Sequence, residues 1–395
     1  MIKAHKIKLY PTKSQEELLR KSCGVARHSY NWCLAKWGEL YSKGEKPSAY
    51  SLIKLQNKIK RTEFPFYLEV NKCAPQYACH NVESAFKKMW EEKSGYPKFK
   101  KKGIKDSFVA VENKENFKQE NKKIRLPRIG WIKCAEDLRF EGKVNNVVVK
   151  RVADMWFAIV NIEVSSNEAT TVSENQVTVG VDLGIKSLMV LSDGTIYENP
   201  KALKNNLKKL KHLQRGLSRK QKGSNNRKKQ QMRVARKHYQ IANIRSNAIH
   251  QATSEIVKNY DKIVIESLKP KTMVKNRILS QALSDASFGE ISRQLIYKSL
   301  WANKELIKAD QYFPSSKICS CCGNRKEKLS LSERTYKCVN CGITIDRDLN
   351  AAKNLANYSP TQESGGSQAC GDLNNISSKR CRSSVKQEIL FVNNN

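Results

Sequence analysis

Four cysteines stand where a metal could use them. Cys319-x-x-Cys322 and Cys338-x-x-Cys341 are two pairs separated by fifteen residues, the spacing of a two-knuckle zinc ribbon. A glycine follows each knuckle, Gly323 and Gly342, where the backbone must turn tightly around the ion. Four thiolates close the coordination sphere, so one Zn2+ here is structural and leaves no position open for a substrate. Cys321 lies between ligands as a bystander.

A second set of residues is acidic. Asp182 follows the alternating run Val177, Val179, Val181, and Glu266 ends the short apolar run Ile263-Val264-Ile265. Asp348 lies in Asp346-Arg347-Asp348-Leu349-Asn350-Ala351-Ala352, at a predicted helix start directly after the cysteines. Strand ends and helix starts can converge at one edge of an α/β sheet, where carboxylates can hold divalent cations. Two Mg2+ about 3.5–4 Å apart can activate a water and stabilise the leaving oxygen of a phosphodiester. Each acid has an ordinary alternative. Asp346 or Asp348 could be a helix N-cap, Asp182 a turn residue, and Glu266 the partner of a nearby lysine.

The third feature is charge. The 395 residues carry 73 Lys+Arg against 37 Asp+Glu, a net +36, and a polyanion such as nucleic acid would relieve that repulsion. Lys201 to His250 holds sixteen Lys/Arg and no acid, with leucines and isoleucines at helical spacing. Gly223-Ser224-Asn225-Asn226 splits it into a predicted antiparallel helix pair. Arg219, Lys220, Lys222, Arg227 and Lys228, around that turn, are expected to hold phosphates without reading sequence. No run of about 18 apolar residues and no signal-peptide core is present, which excludes membrane-spanning and secreted classes. Of the twelve cysteines, Cys23, Cys33, Cys73, Cys79 and Cys134 are scattered singly, which suits a reducing interior such as a prokaryotic cytoplasm or a nucleus. The six histidines show no ligand spacing and are assigned no catalysis.

The elements that must position these groups follow from periodicity. Ile2 to Tyr10 alternates as a strand, and Ser14 with Glu17 forms a capping box opening a mostly helical region to about Trp90. Past Asp106 the period approaches two as far as Val164, with Ala153-Asp154 turning a hairpin. Ser165 to Gln176 reads as a linker, Asp193-Gly194 as a hairpin turn, and the polar tail as disordered.

Together these segments resemble the TnpB (OrfB) family of insertion-sequence proteins, relatives of type V CRISPR effectors. The resemblance rests on Val179-Gly180-Val181-Asp182-Leu183-Gly184-Ile185-Lys186, on Ile265-Glu266-Ser267-Leu268, and on Cys-x-x-Cys-Gly ending in Asp-Arg-Asp-Leu-Asn-Ala-Ala. It extends to Leu9-Tyr10-Pro11-Thr12, Tyr30-Asn31-Trp32, Gly95-Tyr96-Pro97-Lys98-Phe99, Ser218 to Ser224 and Ser284 to Glu290.

It implies a multidomain α+β and α/β fold. A β-barrel wedge module would occupy 1–12 and 106–170, and a helical recognition lobe 13–105. An RNase H-like (RuvC) nuclease domain would span 171–316 and 343–358, interrupted by a zinc ribbon at 317–342, with a disordered tail at 359–395. The implied activity is guide-RNA-directed cleavage of double-stranded target DNA beside a short adjacent motif, in a prokaryotic cytoplasm. By motif, Asp182, Glu266 and Asp348 carry over as the magnesium-binding triad, with Asp346 the less favoured third member. Arg334 carries over as a group near the scissile phosphate; it could equally be a surface residue of the ribbon. Tyr50, Lys72 and Gln76 are candidate contacts to the target-adjacent duplex. Two rival functions share this ancestry: a compact CRISPR effector, and a nuclease-inactive RNA-guided binder.

Overall fold

The computed structural model describes residues 1–111, 117–165, 176–330 and 333–359. The expected linker, apart from Ser165 and Gln176, and the expected tail beyond Ser359 lie outside the described residues. The described residues divide into two compact units, one up to Ser165 and one from Gln176 to Ser359.

The first unit contains strands β1 (Ile2–Tyr10), β2 (Ser107–Val111), β3 (Lys118–Glu120), β4 (Lys123–Leu126), β5 (Gly130–Cys134), β6 (Lys143–Val152) and β7 (Met155–Glu163), with helices α1 (Lys13–Ser42), α2 (Ala49–Ile59) and α3 (Cys73–Glu91). The strands form one antiparallel sheet in the order β2-β6-β7-β1-β5-β4-β3. Among the described residues, the expected barrel is therefore an open sheet. β1 pairs with β7 from Ile2 to Leu9 but with β5 only at Leu9 and Tyr10. At the far edge β3 is three polar residues long, Lys-Gln-Glu, a short charged edge that does not seek another strand. The helix start also differs from the expected box: Thr12, not Ser14, is the N-cap, and Gln15 reaches back to it. Pro11 ends the strand, so the first residue with an extended backbone and a free hydroxyl takes the cap. Leu19, Cys23, Val25 and Ala26 of α1 share one core with Ile7, Leu9, Val147 and Trp156 of the sheet.

In the second unit, β8 (Thr178–Leu183), β9 (Ser187–Leu191), β10 (Ile196–Glu198), β11 (Lys262–Glu266) and β12 (Glu305–Ala309) form a mixed sheet in the order β10-β9-β8-β11-β12. β8, β9 and β10 are antiparallel, while β8, β11 and β12 are parallel. The parallel crossover from β8 to β11 carries α4 (Ala202–Ser218) and α5 (Asn225–Asn259). Three further helices, α6 (Pro270–Met273), α7 (Ser280–Ala286) and α8 (Phe288–Ala302), lead to β12. The hairpin β13 (Thr335–Lys337) and β14 (Thr344–Asp346) then precedes α9 (Arg347–Ala356). One face of the sheet, with Val179, Val181, Ile263 and Ile265, packs on Ile249, Ile256, Ile291 and Leu295 of α5 and α8. The opposite face carries Val264, which packs with Ala309 of β12 and Leu355 of α9. No helix of the described residues is long and apolar enough to cross a membrane.

Candidate active site and metal centre

Alternation along β8 places Gly180 and Asp182 on the α9 face of the sheet, opposite Val179 and Val181. β11 runs parallel with Val264 beside Gly180 and Ile265 beside Val181, so the next position sets Glu266 beside Asp182. Gly180 has a further duty. A Cβ there would stand 2.0 Å from the Ala352 carbonyl and 2.4 Å from the Ala356 nitrogen. Only glycine lets α9 lie directly on β8. That contact brings the first turn of α9, with Asp348, over the ends of the two strands.

The three acids act on one another. Burial lifts the Asp182 carboxyl well above the usual carboxylate range, and the charges of Glu266 and then Asp348 add to the lift, against Arg347. Glu266 is also raised, first by burial, opposed by a hydrogen bond from Ser315 and reinforced by Asp348. The Ser315 hydroxyl donates to Glu266 Oε1 at 2.8 Å. Arg347 Nε lies 3.4 Å from Asp348 Oδ1. Asp346 is the N-cap: its Oδ1 accepts from the Asp348 and Leu349 N–H groups at 2.9 and 3.1 Å.

The cysteines are drawn tighter. Among the described residues, Cys319, Cys322, Cys338 and Cys341 are the one group of three or more His, Cys, Asp or Glu whose ligand atoms all lie within 4.8 Å of one another. The Cys319–Cys341 and Cys322–Cys338 sulfurs are each 3.6 Å apart. Four metal–sulfur bonds of about 2.3 Å in a tetrahedron would give edges of about 3.8 Å. Gly323 and Gly342 have φ of +73° and +74°, and their N–H groups return to the carbonyls of Cys319 and Cys338 at 3.0 and 3.1 Å. The Cys338 thiol falls to about 6 because the Cys341 and Asn340 N–H groups point at its sulfur, against burial; a thiolate is what a metal needs. Asn340 Nδ2 donates to Cys322 Sγ at 3.6 Å.

Three residues that composition did not single out join this cluster to the acids. Asn350 Nδ2 donates to the Ile318 carbonyl at 2.7 Å, and its Oδ1 accepts from Ser320 N–H at 2.9 Å. Asn354 Nδ2 donates to the carbonyls of Ser315 and Ile318, both at 2.7 Å. Asn350 is fully buried and Ser315 nearly so. The chain entering the first knuckle is thus tied to α9, and through the Ser315 hydroxyl to Glu266. Asn at i and i+4 on one helix face was the available signal; nothing local marks Ser315. The Arg347 N–H donates to the Arg334 carbonyl at 2.8 Å, while Arg334 itself is exposed.

The basic helices form the expected pair. Arg219, Lys220, Lys222 and Lys228 are exposed at its turn. Arg227 is half-buried, and its Nη1 donates to the carbonyls of Leu217 and Lys220 at 2.8 and 2.9 Å, so it also closes the end of α4. The acid missing from this segment comes from elsewhere. Buried Asp285 accepts from the Leu203 and Lys204 N–H groups at 2.9 and 3.3 Å and pairs with Arg245 at 3.3 Å. In the first unit Tyr50 is 77% exposed on α2, Lys72 is the exposed N-cap of α3, and Gln76 is half-buried one turn on.

Three family models match the chain. One described as a probable transposase, OrfB of the IS605 type, covers residues 160–277. A Cas12f1-like TNB domain covers 288–355, the stretch holding the cysteines and α9. A helix-turn-helix domain of the IS605 OrfB type covers 1–46, which here form strand β1 and the single long helix α1. The "Putative RNA-guided DNA endonuclease InsQ" of Escherichia coli K12 is 32% identical over 90% of this chain and 91% of its own length. A "Putative RNA-guided DNA endonuclease" of Streptomyces pristinaespiralis is 34% identical over 98% of this chain and 96% of its own. A cryo-EM structure of a Cas12f1–sgRNA–target DNA complex shares the fold at a TM-score of 0.57 and 14% identity, covering 90% of this chain and 98% of that one. On its family-model matches and on full-length relatives above 30% identity, the chain belongs to the TnpB (OrfB) family.

Proposed function

We propose that this chain is an RNA-guided DNA endonuclease encoded by a transposable element, with Asp182, Glu266 and Asp348 as its cleavage centre. The observation that supports the reading is that three acids, from two strand ends and one helix start, lie near enough for their charges to act on one another. Burial and mutual repulsion raise Asp182 and Glu266, and folding gains nothing from such a cluster. All three offer hard carboxylate oxygens, the donor set that suits Mg2+. When bound, a pair of magnesium ions supplies the Lewis acidity that phosphodiester hydrolysis requires. The protein's part is positional. Ser315 fixes the Glu266 carboxylate, Asp346 caps the helix presenting Asp348, and Gly180 admits that helix to the sheet. Arg347 offsets part of the negative charge, and Arg334 is assigned to the scissile phosphate.

The four cysteines would hold one structural Zn2+, and the sheet with α9 serves as the RNase H-like core into which that ribbon is inserted. The names of the relatives, RNA-guided DNA endonucleases, supply the partners of the proposal: a guide RNA and double-stranded target DNA. Arg219, Lys220, Lys222, Arg227 and Lys228 would hold their phosphates, and Tyr50, Lys72 and Gln76 the target-adjacent duplex. The buried Cys23, Cys33, Cys73, Cys79 and Cys134 fit a reducing cytoplasm. The nuclease-inactive reading is disfavoured by the three acids themselves.

The test is to purify the chain from its native host, sequence the RNA that accompanies it, and reprogram that RNA. A duplex matching the new guide should be cut in magnesium and an unmatched one left whole. Cutting independent of the guide, or no specific RNA, would refute the proposal.

A further inference from the structure

The segment after α3, from Gly95 to Lys102, belongs to neither site above, yet it is held firmly. Asn31 on α1 donates from Nδ2 to the Lys100 carbonyl at 3.0 Å and accepts from the Lys100 N–H at 2.8 Å. Those are the two bonds a neighbouring strand would make. The Lys100 ammonium lies 3.9 Å from the Tyr30 ring centroid, a close cation–π contact. Upstream, Tyr96 meets Phe86 edge-on at 5.4 Å, and Phe86 stacks on Trp37 at 4.7 Å. Tyr30 and Asn31 thus fasten the chain at Lys100, one residue past Tyr96-Pro97-Lys98-Phe99, while Tyr96 is fastened to α3 through Phe86.

Held in this way, the segment exposes rings to solvent. Phe99 is 60% exposed, Tyr96 59%, and Trp90 in the last turn of α3 53%. Lys98, Lys101 and Lys102 are exposed beside them. Trp90 and Tyr96 each touch Phe86, at 5.7 and 5.4 Å, yet keep more than half of their surface in solvent, and a purely solvating run would not contain such rings. Planar apolar faces interleaved with fixed positive charge complement a polyanion that carries its own planar rings. Unpaired nucleotides offer both, whereas a duplex hides its base faces.

We infer that Trp90, Tyr96 and Phe99, with Lys98, Lys101 and Lys102, form a platform on which single-stranded nucleic acid stacks its bases, without preference for base or sugar. The inference rests on the nucleic-acid part of the proposed function. Its test reads binding without cleavage, so either can fail while the other stands.

The experiment measures the affinity of the full-length, guide-free protein for a dT 12-mer, an rU 12-mer and a 12-mer of abasic deoxyribose phosphates. Phe99→Ala should weaken binding to both base-bearing strands by about tenfold, the scale of one lost base stack, and leave the abasic strand within about twofold. Phe99→Tyr should restore the wild-type values, separating stacking from misfolding. Replacing Lys98, Lys101 and Lys102 by Gln should weaken all three strands and lower the slope of log affinity against log salt by about 2. Equal losses on base-bearing and abasic strands, a loss confined to one sugar, or no loss in Phe99→Ala would each overturn the platform. So would photo-crosslinks from 4-thiouridine that avoid residues 90–102.

Discussion

Two places in the second unit gather side chains of the kinds that bind metals, and they do so in opposite ways. The four thiols come from one stretch of chain, Cys319 to Cys341, and each knuckle is closed by its own backbone turn. The three carboxylates come from segments 84 and then 82 residues apart (266 − 182 and 348 − 266), and only tertiary packing makes them neighbours. The thiols close to within 4.8 Å of one another and the carboxylates do not. A local site carries its geometry in its spacing. An assembled site takes its geometry from whatever holds the elements together, here Gly180, Ser315, Asn350 and Asn354. The two are also joined, since β14, just after the second cysteine pair, runs directly into the helix that bears Asp348.

That joining gives the largest expected effect on the comparison. Cys338→Ser removes one of the four proposed ligands, and metal binding in such sites is folding free energy. The variant should lose its zinc by elemental analysis and lose cleavage with it, because the anchors on Asn350 and Asn354 go slack. Full cleavage by a zinc-free variant would show that the local site does not support the assembled one.

Gly180→Ala separates them in the other direction. Its Cβ would collide with the backbone of α9, at a cost of about 1–3 kcal/mol in stability. Displacing α9 should reduce cleavage about 10²-fold or more, as misplacements of about 1 Å do, while zinc content stays at one per chain. Undiminished cleavage would mean that the β8–α9 contact does not set the position of Asp348.

The smallest effect is expected from Asp346→Ala. Losing an N-cap costs about 1 kcal/mol of helix stability, so cleavage should fall only a few-fold. If it vanishes, Asp346 and not Asp348 is the third ligand.

The same contrast governs what the sequence discloses. The cysteine spacing and the glycines after each pair disclose the four-sulfur cluster, and the alternating run to Val181 and the short apolar run Ile263-Val264-Ile265 disclose β8 and β11. The Asp193-Gly194 turn and the split of the basic pair are equally local: Gly194 and Gly223 have φ of +94° and +87°. Legibility falls where partners are remote. The N-cap moved two residues to Thr12 because Pro11 decides where the strand stops. The expected barrel is an open sheet, since strand alternation says which face is buried but not whether the edges meet. Asp285 reaches the start of α4 from 82 residues away, and Ser315 reaches Glu266 across 49; neither pairing leaves a trace in local spacing.

In the proposed function, Asp182, Glu266 and Asp348 form one cleavage centre, and other residues bind the nucleic acid. The most direct measurement compares cleavage of a matched duplex in magnesium with binding of the same duplex in metal-free buffer, for the three single Ala variants and their pairs. Each single variant should lose at least about 10³-fold in rate and each pair little more, because one site cannot be lost twice. Guided binding should stay within about twofold, since it rests on base pairing and phosphate contacts. A single variant that cuts at the wild-type rate, or binding that falls in step with cleavage, would contradict the account.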